Sequence, residues 1–387
     1  MRIRRRSLRW LAVLGAAALL VAGCGGKEAE GPAATSGAAS SGFDAAAYFK
    51  GKTIHMVVSS SPGGGTDLSA RFLATNLADR IPGKPRIAVT NVAGLGGITQ
   101  IYNAPEDDLV IGATSQVSAI YTAPTDPAVT IDPLKVRLIG GIGADPRSVV
   151  GYGDVATAYP TLTDASGKKT PTLKLPATVG SPADVVSDAF MFPWVCEALN
   201  LPCEYVQIAN DSSSDVNLMI QRGEVNIQGG AVVTMFRDYL DQLRDGKARF
   251  LFGYAESDDT RVESDVVQVP SIVSMLPEDK KAEYERILPV VSAGTIGKHL
   301  WAPPSLPDGA VEALRAAFAD LINDPAKVGD LQSAMGGGES DDYNFIIKAY
   351  SGDEAQKLYE NDVKTFDDNL DFYKQLQQSY YDKYWSK

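Results

Sequence analysis

The sequence predicts an α/β protein of two domains, each a mainly parallel sheet flanked by helices. Three observations carry that expectation. Short apolar runs of strand length alternate with runs whose apolar residues recur at helical spacing. The 387 residues exceed what one hydrophobic core comfortably serves. The strand–helix series also breaks near Gly143–Tyr152 and begins again after a polar stretch.

The first 23 residues belong to a different category. Arg2, Arg4, Arg5, Arg6 and Arg9 form a basic region, and Leu11–Ala22 is an apolar run too short to span a membrane. It reads as a secretory signal. It ends Val21-Ala22-Gly23-Cys24, which resembles a lipobox with Cys24 as the lipidated first residue. Arg5-Arg6 is a weak twin-arginine signal. Residues 24–42, rich in Gly, Ala, Ser and Pro, form a flexible tether. Removing the signal takes five positive charges and no negative ones, so the net charge goes from −12 to −17. Such acidity excludes nucleic acid and anionic lipid surfaces as partners. Any small anion would have to be held by local dipoles. With Cys24 used for lipid, Cys196 and Cys203 remain, either as a disulfide in an oxidising compartment or as two buried thiols.

The folded part opens with strand Ile54–Ser59, followed by Ser60-Ser61-Pro62-Gly63-Gly64-Gly65-Thr66-Asp67. The helix Leu68–Ile81 comes next, with Thr66 or Asp67 as its expected N-cap. A second strand, Ile87–Val92, enters Ala93-Gly94-Leu95-Gly96-Gly97 before a short helix, Ile98–Asn103. Glycines placed there turn the backbone sharply and leave N–H groups beside a helix N-terminus, a place to hold an anion. Two tight βα turns without a ligand are the plain alternative. Strands Leu109–Thr114 and Val136–Gly140 continue the series. The strand C-terminal ends share one edge, where ligands bind in open α/β sheets. Ser59–Asp67, Gly94–Gly97 and Thr114–Ser118 fall on that edge.

Asp154–Lys174 reads as a polar insertion. A second series follows: strand Ala177–Gly180, helix Pro182–Leu199, strand Glu204–Ile208, helix Asp215–Arg222, strand Val225–Gln228, helix Met235–Leu243 and strand Ala248–Tyr254. Trp301–Pro304 and the helix Gly309–Asn323 return to the first unit. Leu370–Trp385 reads as a helix packing its tyrosines on the body. The expected boundaries are domain I over 52–143 plus 269–387 and domain II over 144–268.

These motifs resemble the substrate-binding receptors of tripartite tricarboxylate transporters, the Bug family. The family's strand into Pro-Gly-Gly-Gly-x-Asp and its helix are matched by Pro62–Asp67 and Ala70-Arg71. Its asparagine and Gly-x-Gly-Gly are similar to Asn91 and Gly94–Gly97. Its Gly-Thr-Ser type turn resembles Gly112–Ser115, and its Gly-Ser-Pro-Gly loop resembles Gly180–Ala183. Trp301-Ala302-Pro303-Pro304 with Pro307 is similar to its Trp-x-x-x-Pro segment. The resemblance covers most of 52–335 and implies a type II periplasmic-binding clamshell with a small di- or tricarboxylate in the cleft. Carried over, the ligand residues are Ser61, Pro62, Gly63, Gly64, Asp67, Gly96, Gly97 and Ser115, with Ser181 and Gly229 from the second domain. The resemblance further implies integral membrane transporter subunits as partners, attachment to the membrane by lipid alone, a monomer, and no cofactor or metal.

The chain also departs from the family. Val206-Gln207-Ile208-Ala209-Asn210 lacks the family's tyrosine and lysine, Ala183-Asp184 replaces a glycine, and Val269-Pro270-Ser271 lacks a glutamate. The affected loops select the far end of the ligand in the family. Asp184 aimed into the cleft would repel a second carboxylate and favour an amine or hydroxyl. Catalysis is the rival function class, but the sequence offers little for it. His55 and His299 read as structural, and Ser60-Ser61 has no histidine in motif spacing. The glycine loop lacks the Lys-Ser/Thr of a P-loop, and Gly141–Pro146 is a poor dinucleotide match. A sensory or adaptor lipoprotein is the third class.

Overall fold

The computed structural model describes residues 42–115, 131–143, 147–158, 171–182, 185, 188–208, 213–254, 262–263, 268–291, 296–335, 344–345 and 347–386. The signal segment, Cys24, the tether up to residue 41, and Ala183-Asp184 lie outside the described residues.

Helix α1 (Ala45–Phe49) precedes β1 (Thr53–Val58), α2 (Gly65–Leu77), β2 (Arg86–Asn91), α3 (Gly94–Tyr102), β3 (Val110–Ser115) and β4 (Arg137–Gly143). The next run is β5 (Arg147–Tyr152), α4 (Asp154–Ala158), β6 (Leu173–Ala177), α5 (Asp188–Ala198), β7 (Cys203–Gln207), α6 (Ser213–Gln221), β8 (Ile227–Ala231), α7 (Val232–Arg244) and β9 (Ala248–Gly253). The chain then forms β10 (Val262–Glu263), α8 (Glu278–Val291), β11 (Ile296–Ala302), α9 (Asp308–Ile322) and α10 (Pro325–Ala334). It ends with β12 (Asn344–Phe345), β13 (Ala349–Ser351), α11 (Gly352–Asp367) and α12 (Leu370–Tyr384).

One sheet has six strands in the order β13-β4-β11-β3-β1-β2. β1 pairs in parallel with β2 and β3, while β11 runs antiparallel to β3 and β4, and β13 antiparallel to β4. So β1 to β4 share one direction and the two late strands oppose it. β11 and β13 belong to the returning chain, and a mixed sheet with reversed late strands is a common outcome. The chain leaves this sheet between Gly143 and Arg147. The second series forms an antiparallel ladder, β8-β5-β9, and a parallel pair, β6 with β7.

Several boundaries differ from the sequence expectation, and three of them have a local reason. Helix α3 opens at Gly94 rather than Ile98, because Gly94 takes φ +67° and lets the chain coil at once. β6 begins at Leu173, inside the stretch read as an insertion, since Leu173, Leu175 and Ala177 alternate inward among polar residues. The N-cap of α2 is Gly64, with no side-chain cap, because the Asp67 carboxylate points elsewhere.

Two apolar clusters hold the sheet. Ile54, Met56 and Val58 pack with Leu73, Leu77, Leu314 and Phe318 of α2 and α9. Trp301, Ile101, Val149, Phe190 and Tyr359 belong to a cluster continuous with the second series. α12 packs its aromatic side chains on the body. Phe190 lies 5.8 Å from Tyr380 and 6.3 Å from Tyr373, ring centroid to centroid. Tyr205 lies 4.6 Å from Tyr384 and 4.8 Å from Trp385. A disulfide joins Cys196, in α5, to Cys203, which opens β7. Among the described residues no helix is long and apolar enough to cross a membrane.

Candidate functional site

Because β1, β2 and β3 run in parallel, their C-terminal ends meet at one edge. Val58 is level with Asn91 on β2 and with Ala113 on β3. Past the strand, Ser59 N–H donates to the Ala113 carbonyl at 3.1 Å, and the Ser59 carbonyl accepts from Gly94 N–H at 3.2 Å. The two glycine loops therefore lie side by side. Gly97 also lies in tight quarters. A Cβ there would lie 2.0 Å from the Val92 carbonyl oxygen and 3.4 Å from Ser59 Cα, both backbone atoms. Gly97→Ala should accordingly lower stability by about 1–3 kcal/mol, as overpacking does. Chemical denaturation would check this, and a wild-type midpoint would refute it.

The first loop is organised by Asp67, 3% exposed in the first turn of α2. Its Oδ2 accepts from Gly63 N–H at 2.9 Å and from Arg71 Nε at 3.0 Å, and its Oδ1 from Asn91 Nδ2 at 2.9 Å. Asn91 Nδ2 also donates to the Ser60 carbonyl, and Arg71 Nη2 donates to Asn91 Oδ1. Burial alone would raise the pKa of Asp67. The Arg71 guanidinium and the Gly63 and Asn91 donors outweigh it and hold the carboxyl below the usual range. Asp67 is thus an anion turned inward, whose oxygens fasten the loop.

That network narrows the set of donors. Pro62 has no N–H, and the Gly63 N–H is taken by Asp67. Gly63, at φ +82°, makes the turn. The N–H groups left to meet a ligand are those opening α2 at Gly64, Gly65 and Thr66, where no side chain caps the helix. Gly96 stands exposed in the first turn of α3. Ser115 ends β3 on the same edge, level with Lys298 of β11.

Ser181 follows Gly180, whose carbonyl accepts from Tyr381 Oη of α12. Gly229 lies in β8, where a Cβ would meet Asp188 Oδ2 at 2.5 Å, and Asp188 is ion-paired with Arg147. The residue of the second series beside the first loop is Thr234, in the first turn of α7. Its Oγ1 lies 3.9 Å from the Cβ position of Gly65, and Lys298 Nζ lies 3.8 Å from it. Thr234 and Lys298 were missed by sequence reasoning. The one available signal was a lysine within the apolar strand run Ile296–Ala302.

Behind the loop, Thr66, Ser69, Thr114, Lys298 and His299 help line a cavity of about 10 Å3. Burial, and then the charge of Lys298, push the His299 imidazole down to about 3, so it is neutral. Among the described residues no group of three or more His, Cys, Asp or Glu is placed to hold a metal ion.

No protein-family model and no curated protein matches this sequence. Solved structures do match. The periplasmic binding protein BugD gives a TM-score of 0.58 at 17% identity, over 84% of this chain and 98% of its own. MatC from Rhodopseudomonas palustris with bound malate gives 0.54 at 17%, over 83% and 99%. A further R. palustris protein with adipate gives 0.57 at 14%, over 84% and 97%. At such identities the likeness is one of fold. The chain has the type II periplasmic-binding fold. In a periplasmic-binding fold, as in open α/β sheets generally, the carboxyl edge of the strands is the expected crevice for ligands. Both glycine loops and Ser115 lie on that edge.

Proposed function

We propose that the chain is an extracytoplasmic solute receptor that captures a small carboxylate. The observation that carries this is the uncapped start of α2, Gly64-Gly65-Thr66, set beside the second glycine loop at the carboxyl edge of the sheet. The malate and adipate in two structures of the same fold support the choice of ligand class. In this reading Ser61, Gly64, Gly96, Gly97 and Ser115 hold one carboxylate, with Pro62, Gly63 and Asp67 shaping the loop. Ser181 and Gly229 approach from a second lobe, 144–268, which closes on the lobe formed by 52–143 and 269–387. Export through the signal segment and lipidation at Cys24 keep the receptor at the membrane. There it delivers its ligand to integral subunits of a tripartite tricarboxylate-type transporter, acting as a monomer and not as an enzyme.

The energetics are adequate. Each hydrogen bond to an ionised carboxylate contributes about 1.5–3 kcal/mol. Three or four of them reach micromolar affinity once association costs are met, about −8 kcal/mol net.

Thermal-shift screening of mono-, di- and tricarboxylates, followed by calorimetry, tests the reading. A ligand at a hundredfold excess over Kd should stabilise the fold by about 2.7 kcal/mol. No shift with any of them sinks the proposal, and turnover of the ligand would replace it with an enzyme. Gly63→Val offers a sharper check. Its φ of +82° strains any side chain although nothing crowds the site, so the cost to folding is about 1–2 kcal/mol. The re-aimed loop should cost at least about tenfold in affinity, near one charged hydrogen bond. Unaltered affinity would refute a role for this loop.

A further inference from the structure

The last two helices are fastened to different parts of the molecule. β13 is an edge strand of the six-stranded sheet, and its last residue, Ser351, caps α11. α11 is tied to that sheet and to the turn before β4. Gln356 Oε1 accepts from Leu138 N–H at 2.7 Å, and its Nε2 donates to the Val136 carbonyl at 3.2 Å. Tyr359 Oη donates to the Pro133 carbonyl at 2.7 Å. α12 is tied to the second series instead. Gln377, 3% exposed, donates from Nε2 to the Val185 carbonyl at 3.2 Å. The Glu197 carboxylate accepts from Lys383 Nζ at 2.6 Å and from Tyr384 Oη at 2.9 Å. α8 takes the same side, since Trp194 Nε1 of α5 donates to Glu283 at 2.9 Å and Tyr284 Oη donates to the Tyr254 carbonyl.

One side chain reaches both parts. Tyr373, 1% exposed in the first turn of α12, stacks on Phe366 of α11 with ring centroids 4.8 Å apart and planes 12° from parallel. Its ring also meets Phe190 of α5 edge-on at 6.3 Å, and its hydroxyl donates to the Arg286 carbonyl of α8. Arg286 Nε in turn donates to Asn369 Oδ1 at 3.0 Å, in the joint between α11 and α12. Lobes joined by linkers alone move freely, whereas an apolar interface restrains them. Here Tyr359, Val363 and Phe366 of α11, Tyr373 and Tyr380 of α12, and Phe190 of α5 belong to one buried cluster.

We propose that Tyr373 is the pin of the hinge. α8 and α12 move with the second lobe and α11 with the first, and the Tyr373 ring, between Phe366 and Phe190, keeps the lobes near the closed arrangement that binds ligand. This rests on the two-lobe receptor reading and deepens it, by giving Glu278–Val291 and Leu370–Tyr384 to the second lobe. Tyr373 is then a positioning residue, and it acts on affinity through the population of the competent arrangement. A receptor competent about a tenth of the time binds about tenfold more weakly than one always competent.

The test compares wild type with Tyr373→Ala, Tyr373→Phe and Tyr380→Ala. It uses calorimetry of the best binder among malate, adipate, succinate and citrate, small-angle X-ray scattering, and thermal unfolding. Tyr380 is as buried, at 2% exposed, but its ring packs on Phe190 and Tyr384, both on the second lobe's side. Tyr373→Ala should weaken binding about tenfold, enlarge the radius of gyration of the ligand-free protein and split one melting transition into two. Tyr373→Phe keeps the stack and should bind as wild type does. Tyr380→Ala should lower the melting temperature as much, with affinity and radius of gyration unchanged. Should Tyr373→Ala fail to fold, Tyr373→Leu, which keeps most of the volume but cannot stack, is read in its place. Equal losses of affinity in Tyr373→Ala and Tyr380→Ala, or a single transition with a wild-type radius in Tyr373→Ala, would overturn the pin. If wild type binds none of the four acids, the receptor reading fails, while scattering and melting of the variants still decide the pin.

Discussion

Asp67→Ala is expected to destabilise the chain by about 2–4 kcal/mol and to weaken ligand binding by about 10- to 100-fold. The carboxylate is 3% exposed and accepts three hydrogen bonds, two of them from groups of the loop system it holds, Gly63 and Asn91. Removing it leaves the Gly63 N–H without its acceptor and takes one of two acceptors from the Asn91 amide, while Arg71, its side chain half exposed, can turn to water. The cost should therefore fall mainly on the loop. Asp67→Asn keeps the volume but sets an NH2 group against donors, so it should recover less than half of the loss. Arg71→Ala should cost least, about 0.5–1 kcal/mol, because its pair is partly solvated. A double-mutant cycle between Asp67 and Asn91 should give a coupling of about 0.5–3 kcal/mol, as for side chains within one network. Additive effects, or a wild-type Kd in Asp67→Ala, would show that the loop holds its shape without the carboxylate.

How far the sequence led can be judged on particular residues. The strands were legible because short, mostly apolar runs such as Thr53–Val58 end at glycine turns, and the turn at Gly63, φ +82°, requires a backbone only glycine adopts easily. The direction of β11 was not legible, since a lone strand carries no sign of which way it will run beside its neighbours. Asp67 was visible as an acidic residue at a helix start, where the macrodipole favours it. Its actual partners were less visible, because Asn91 lies 24 residues away and reaches it only when β2 docks on β1. Lys298 and Thr234 were invisible for the same reason on a larger scale. Their place beside Gly65 is set by the tertiary packing of β11 and α7, and no local period encodes it. Local chemistry thus reported the contiguous glycine loop, and long-range packing set the side chains beside it.

The buried His299 and the half-buried Asp362 should give the chain opposing pH responses. His299 is held down to about 3 by burial and by Lys298, so in the folded state it stays neutral while its unfolded counterpart, at about 6.5, takes up a proton. Between those values the unfolded chain binds more protons, and stability falls as pH drops. Asp362 is raised to about 7 by burial. Between about 4 and 7 the folded chain therefore binds the extra proton, and stability falls as pH rises. Each limb has a maximum slope of about 1.4 kcal/mol per pH unit, so the two contributions offset one another from about pH 4.5 to 6. Asp362→Asn removes the opposing limb, and its stability should then drop on acidification across that window at close to the full slope. His299→Gln should do the reverse and lose stability as pH rises. Thr114 and Lys298 line the same cavity as the imidazole. Urea denaturation at pH 4.5, 5.25 and 6 would read all three slopes. Parallel slopes in wild type and both variants would show that the two groups titrate alike in the folded and unfolded chain.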